Sequence, residues 1–195
     1  MLTLHEIFTE VLPEILEGYV HRPVQLSLAE NIMSIIQSAS TGVFEAGTGT
    51  GKTLSYLVPA FLADGKVIIS TGTKNLQDQL YRKDIPMLHP LFPQKRVALL
   101  KGRANYLCFK RWQNAVLHTE PNDTESKALS KILVWLKQTE TGDRNELALG
   151  RLIPMFTRYS AQGAAMCPSN EGPCFLRKAR NQANGSNVVI INHAL

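Results

Sequence analysis

Residues 46–53 read Ala46-Gly47-Thr48-Gly49-Thr50-Gly51-Lys52-Thr53. This stretch constrains the fold more than any other in the chain. It follows a short apolar run, Gly42-Val43-Phe44-Glu45, and opens a helical-looking segment, Leu54–Ala63. The expected order is strand, glycine-rich loop, helix. Glycines let a backbone curl until successive N–H groups point at one anion. The helix that follows adds its positive N-terminal end. On this reading Lys52 reaches the outer phosphates of a nucleotide and the Thr53 hydroxyl ligates Mg²⁺. Ala46 stands where the stricter form of the pattern has a glycine.

The remaining punctuation predicts an α/β chain. Apolar residues Leu4, Ile7, Phe8, Val11 and Leu12 recur at helical spacing, with Pro13 as an interruption. A second helix is expected from Pro23 to about Gln37, with Leu28, Ile32 and Ile35 on its buried stripe. Pro59 is expected to bend the helix after the loop. Residues 66–71 read as a buried strand, 74–83 as a helix ending before Pro86, and 97–100 as another strand. Strands alternating with helices predict a parallel sheet with helices on both faces. From Lys101 to about Gly185 there is little strand signal. Residues 126–138 form an amphipathic helix with Leu129, Ile132, Leu133 and Leu136 on one face. Asn187–Ile191 then returns as a buried strand. The expected division is 1–101 for the first part of the α/β domain, 102–185 for a mostly helical insertion, and 186–195 for the return strand.

Charge follows this division. Net charge is +5, and residues 103–181 hold 12 Lys/Arg against 7 Asp/Glu, while the remainder holds 9 of each. The excess positive charge therefore lies in the insertion, as a polyanion-facing segment or an ordinary solvated surface. The composition, 44% hydrophobic and 19% charged, suits an ordinary buried core. Apolar stretches such as Ile32–Ile36 are too short to cross a bilayer, and the N-terminus lacks the layout of a signal peptide. A cytoplasmic location and no membrane partner are expected.

Further candidates lie outside the loop. Arg22-Pro23-Val24-Gln25 precedes it by about twenty residues, and the Gln25 amide can both donate to and accept from an adenine edge. Thr71-Gly72-Thr73 follows the second expected strand, where ligands of open α/β sheets sit. Its hydroxyls could hold a nucleic-acid phosphate, or Thr73 could cap the next helix. The three cysteines, Cys108, Cys167 and Cys174, all fall in the insertion. Zinc would want four Cys/His ligands and a four-iron cluster four thiolates. With His118 and His193 the nearest histidines, metal binding and free thiols both stay open. His193 is assigned no catalytic role.

Taken together, several segments resemble the iron–sulfur DNA helicases of superfamily 2, the DinG/YoaA (XPD-like) family. They are Glu45–Thr53, Lys101-Gly102-Arg103-Ala104-Asn105-Tyr106-Leu107-Cys108, Thr139-Glu140-Thr141-Gly142-Asp143, Cys174-Phe175 with Lys178-Ala179-Arg180, and Val189–Leu195. The resemblance runs in order through nearly the whole chain. It implies a P-loop NTPase of RecA-like fold, the N-terminal part of a 5′–3′ DNA helicase of repair or replication. Residues 46–53 would bind ATP with Mg²⁺, and Gln25 would lie in the adenine motif. Thr71, Thr73, Arg177, Lys178 and Arg180 would contact DNA. Cys108, Cys167 and Cys174 would match ligands of a [4Fe–4S] cluster. Implied partners are single-stranded or forked DNA and replication or repair proteins, and the fragment is expected to be a monomer.

Two departures from the family pattern stand out. The family's second cysteine would fall near Gln162, so one thiolate is lacking. The family's Asp-Glu-Ala-His motif would come beyond Leu195, so this stretch alone is expected not to hydrolyse ATP. An alternative reading is a non-catalytic DNA- or partner-binding module with a relic phosphate loop. A small P-loop kinase or switch NTPase is disfavoured, because the strands at 67–70 and 97–100 end without Asp or Glu.

Overall fold

A computed structural model describes residues 2–118, 120–163 and 172–193. The helices are α1 (Leu4–Glu6), α2 (Leu12–Ile15), α3 (Pro23–Ser38), α4 (Lys52–Leu62), α5 (Lys74–Gln79), α6 (Ile85–Leu88), α7 (Phe109–His118), α8 (Asp123–Leu136), α9 (Ile153–Tyr159) and α10 (Phe175–Asn184). The strands are β1 (Val67–Thr71), β2 (Val97–Leu99) and β3 (Val188–Asn192). They form a small parallel sheet in the order β1-β3-β2. The last strand in sequence thus lies in the middle, and β3 is correspondingly almost wholly buried.

The chain divides into two compact units. One comprises residues 1–98 and 186–190, the other 99–185 and 191–195. In the first, α3 packs on α4. Phe8, Leu57, Phe61, Leu88 and Ile190 are fully buried. The Phe61 and Phe92 rings stack with centroids 5.1 Å apart.

The helix around Pro13 is interrupted as expected, whereas Pro86 does not end its helix. A π-helical turn at Ile7–Val11 leads into α2, whose first turn holds Pro13. A second, Leu80–Asp84, leads into α6, which holds Pro86. Both interruptions follow one physical route. Widening the preceding turn accommodates a residue that lacks an N–H and crowds the turn before it. The helix expected to stop before Pro86 therefore continues to Leu88.

Three expectations about burial are corrected. The segment 42–45 belongs to no strand among the described residues, and Val43 is 96% and Phe44 44% exposed. Two apolar residues flanked by Gly42 and Glu45 join no ladder among the described residues. Strand β1 lies at a sheet edge, with Ile68 60% exposed, rather than inside. On α3 the buried residues are Gln25, Leu26 and Ala29, whereas Leu28, Ile32 and Ile35 are only half-buried.

The second unit has its own core. Trp112, Leu129, Ile132, Trp135, Phe156 and Phe175 belong to one buried cluster, against which Cys108 and Phe109 pack. Helix α8 starts with a capping box of Asn122 and Glu125. Its core face is Ala128, Leu129, Ile132 and Trp135, and Leu133, expected inside, is 48% exposed. Short bridges join Tyr106 to Asp143 and Leu107 to Ser160. No helix among the described residues is long and apolar enough to cross a membrane.

Candidate nucleotide site

The loop at 46–53 turns through two left-handed glycines, Gly49 at φ 75° and Gly51 at φ 78°. Gly51 stands directly before α4, and no side chain caps the first turn of that helix. Its opening N–H groups are therefore the kind of unfilled donors that attract an anion. Lys52 and Thr53 are the first two residues of α4.

Side-chain donors converge on the carbonyls of this loop. Lys52 Nζ donates to the Ala46 and Gly47 oxygens, at 2.6 Å each. The Thr50 hydroxyl donates to Gly47 O at 2.9 Å, and the Arg22 guanidinium donates to Gly49 O. Gln25 Nε2 donates to Gly51 O at 2.9 Å. Carbonyl dipoles turned toward these donors leave the N–H side of the curl for a ligand. Lys52 is folded onto the loop and would have to swing outward to meet a phosphate. The Thr53 hydroxyl is hydrogen-bonded to the Tyr56 phenol, whose pKa burial raises.

Behind the loop, Gln25 is 3% exposed. Its Oε1 accepts from the Tyr19 hydroxyl at 2.8 Å, and its backbone carbonyl accepts from the buried Ser55 hydroxyl at 2.9 Å. Helix α3 begins at Pro23, so Gln25 lies in its first turn, facing α4. Tyr19, Arg22 and Ser55 were not singled out from sequence. The one available signal was the run of Tyr19, Arg22 and Gln25 at intervals of three, which joins a turn to a helix start.

The remaining candidates are spread over both units. Thr71 is buried, and its hydroxyl donates to Thr73 O at 3.0 Å. Thr73 is exposed and caps α5, accepting from Leu76 N at 3.2 Å. On α10, Phe175 and Ala179 face inward while Arg177, Lys178 and Arg180 are exposed. Lys178 Nζ also donates to Glu140 O at 2.9 Å.

Cys108 immediately precedes α7 and is half-buried; Cys174 immediately precedes α10 and is exposed. Their segments lie side by side, since a side chain at Gly172 would meet the Phe109 ring at 2.5 Å. Arg111 ties the Gln162 carbonyl to α7 at 2.7 Å. Cys167 lies outside the described residues, as do Ala194 and Leu195. Among the described residues no three His, Cys, Asp or Glu side chains gather as a metal site. With three cysteines in the chain, the donor set does not fit a four-thiolate cluster.

A connected polar network lies in the second unit. The Thr139 and Thr141 hydroxyls donate to the two carboxylate oxygens of Glu146, at 2.6 and 2.7 Å. Gly142 N and Asp143 N donate back to those hydroxyls. Asp143 accepts from Lys101 Nζ at 2.6 Å, with both side chains nearly inaccessible. Lys101 N donates to the Tyr106 hydroxyl at 2.9 Å. Burial, more than any neighbour, pushes the Tyr106 phenol up to about 12.

No protein-family model matches the chain. It is 39% identical over 187 residues to the ATP-dependent DNA helicase YoaA of Haemophilus influenzae, covering 92% of this chain and 29% of that protein. It is 38% identical to the protein of the same name from Escherichia coli, covering 94% of this chain and 30% of that one. With the 3'-5' exonuclease DinG of Bacillus subtilis it shares 36% identity, over 95% of this chain and 21% of that protein. The chain thus spans less than a third of the length of these relatives. Over its own length, the chain belongs to the DinG/YoaA family.

Proposed function

We propose that these residues form the nucleotide-gripping part of an ATP-dependent DNA helicase that moves 5′ to 3′ on single-stranded DNA in repair or replication. The observation that carries this reading is the glycine loop that ends in Lys52 at the open N-terminus of α4, in a chain whose relatives bear helicase names. In this reading the fold is that of a P-loop NTPase. The loop N–H groups and the Lys52 ammonium hold the outer phosphates, and the Thr53 hydroxyl ligates the Mg²⁺ that accompanies them. Gln25 has a second amide hydrogen and a second oxygen lone pair beyond those used by Gly51 and Tyr19. Those are the groups an adenine edge would take.

DNA is assigned to Thr73 with Thr71 behind it, and to the exposed face of Arg177, Lys178 and Arg180. A basic surface that follows a phosphate backbone binds in a salt-dependent way. A cluster on Cys108, Cys167 and Cys174 would require a fourth ligand that is not cysteine. Iron and sulfide content after anaerobic purification tests that assignment.

The 195 residues contain no Asp-Glu-Ala-His sequence. On their own they are proposed to bind ATP without hydrolysing it, because phosphoryl transfer depends on acidic metal ligands and a positioned water. The test is titration of the chain with Mg²⁺-ATP. Lys52→Ala should weaken binding by about tenfold or more, the worth of hydrogen bonds to a charged group. Equal affinities for the two proteins would overturn the nucleotide reading. Steady, DNA-stimulated hydrolysis by the 195 residues would overturn their assignment as catalytically silent.

A further inference from the structure

The Gln25 amide is held at both ends, and the two contacts are chemically unequal. Its oxygen faces the Tyr19 phenol at 2.8 Å and its nitrogen faces the Gly51 carbonyl at 2.9 Å. An amide turned end for end would bring oxygen against the Gly51 oxygen, two acceptors with no hydrogen between them. The Gly51 carbonyl, which can only accept, sets the orientation, and the Tyr19 hydroxyl then holds the oxygen end of the amide in place. The pKa of that hydroxyl is raised by burial, so it stays protonated, and a donor, across the neutral range. The contact with Gly51 is close enough that a side chain added there would meet Nε2 at 2.1 Å.

Gly51 O and Lys52 N–H belong to one planar trans peptide, so fixing the carbonyl also fixes the direction of the N–H. That N–H is the first of α4, at the mouth of the anion site. We propose that Tyr19 is a positioning residue for the phosphate loop. By anchoring the oxygen end of the Gln25 amide, it keeps Nε2 on the Gly51 carbonyl, adds to the hold of Leu54 N at 3.1 Å and Ser55 N at 3.4 Å on that oxygen, and so helps aim the Lys52 N–H at the bound phosphate. The role rests on the nucleotide reading of the loop and extends it to a residue that touches neither phosphate nor base. It is a case of a supporting side chain holding a binding group in its productive geometry.

The experiment compares Mg²⁺-ATP with inorganic tripolyphosphate, which has phosphates but no base, on the wild-type chain, Tyr19→Phe, Gln25→Ala and the double variant. Loss of the phenol should weaken tripolyphosphate by about three- to tenfold, the equilibrium worth of one ordinary hydrogen bond, and ATP by at least that factor. Gln25→Ala should weaken tripolyphosphate at least as much. The double variant should bind it no more weakly than Gln25→Ala alone, since Tyr19 acts through that amide. Additive losses of tripolyphosphate affinity would show independent structural damage and overturn the proposal. So would a Tyr19→Phe variant that loses ATP affinity while keeping tripolyphosphate affinity. A wild-type chain that binds neither ligand would overturn the nucleotide reading and this proposal together.

Discussion

The loop at 46–53 and the turn at 139–146 both pass through left-handed glycines, yet they are held in opposite ways. The loop is exposed, and donors reach its carbonyls from Arg22, Gln25, Thr50 and Lys52. The turn is clamped from within. Thr139, Thr141 and Glu146 close a ring of hydrogen bonds, and Asp143 is paired with a buried Lys101. Behind Gly142 the Phe175 ring leaves no room, since a side chain there would meet it at 2.2 Å. The exposed Lys52 ammonium can exchange the Ala46 and Gly47 carbonyls for a ligand's oxygens at little cost, because both are acceptors in reach of water, while the buried Gln25 stays on Gly51. The Lys101–Asp143 pair of the turn cannot be exchanged in that way, because both side chains are nearly out of reach of water. One segment is arranged to be remade and the other to stay as it is.

Breaking the turn should have the largest effect. Asp143→Ala leaves the Lys101 ammonium buried without its counter-ion, a loss of about 3–5 kcal/mol. Trp112 and Trp135 are the only two tryptophans and both lie in the second unit, so urea unfolding followed by their fluorescence reports that unit alone. The expected result is a much lower midpoint. If the midpoint is unchanged, the ion pair is not what holds the turn.

The Tyr106 phenol sharpens the contrast by pH. Its pKa is about 12 in the folded chain against an ordinary 10.0. Below about pH 10 the group is protonated in both states and its stabilising contribution is whole. As pH rises from 10 to 12 the unfolded chain loses this proton while the folded chain keeps it. Stability should therefore fall across that window, by about 2–3 kcal/mol at 1.4 kcal/mol per pH unit. Tyr106→Phe should flatten the slope between pH 10 and 12, at the cost of about 1 kcal/mol at neutral pH for the acceptor lost to Lys101 N. A variant whose slope matches wild type would assign the alkaline loss to lysines instead.

Elements announced by local chemistry were legible in the sequence, and those decided by distant partners were not. The helix expected over Leu54–Ala63 is present as α4, starting two residues earlier at Lys52, and Thr73 caps α5 as its position suggests. Central burial of β3 follows from its continuous apolar run. The edge position of β1 could not be read from Val67–Ser70, because a strand's exposure depends on which strands flank it. The interruption at Pro13 was legible but its π form was not, and the continuation past Pro86 was missed for a related reason. A proline says that an ordinary turn fails, but only packing decides whether the helix stops or widens. At the candidate nucleotide site, the pattern pointed to the loop residues. The Tyr19–Gln25–Gly51 contact needed two helices to be placed side by side.

The smallest effect is expected ahead of the loop, and it tests the correction made there. Were Val43 an interior strand residue, exchanging a methyl for a hydroxyl would bury a polar group at about 1–3 kcal/mol. At 96% exposure the same change should fall within about 0.5 kcal/mol of zero. Val188→Thr, at a fully buried position in β3, supplies the scale for what burial would have cost. Both variants can be followed by far-ultraviolet circular dichroism, because neither tryptophan reports the first unit. A Val43→Thr loss as large as that of Val188→Thr would mean that this segment is covered in solution, and that the loop is entered from a paired strand after all. A near-zero loss beside a large one would place the boundary of the stable framework at α4. The glycine loop would then be anchored on its helix side and by the donors behind it, with no contribution from the chain that leads in.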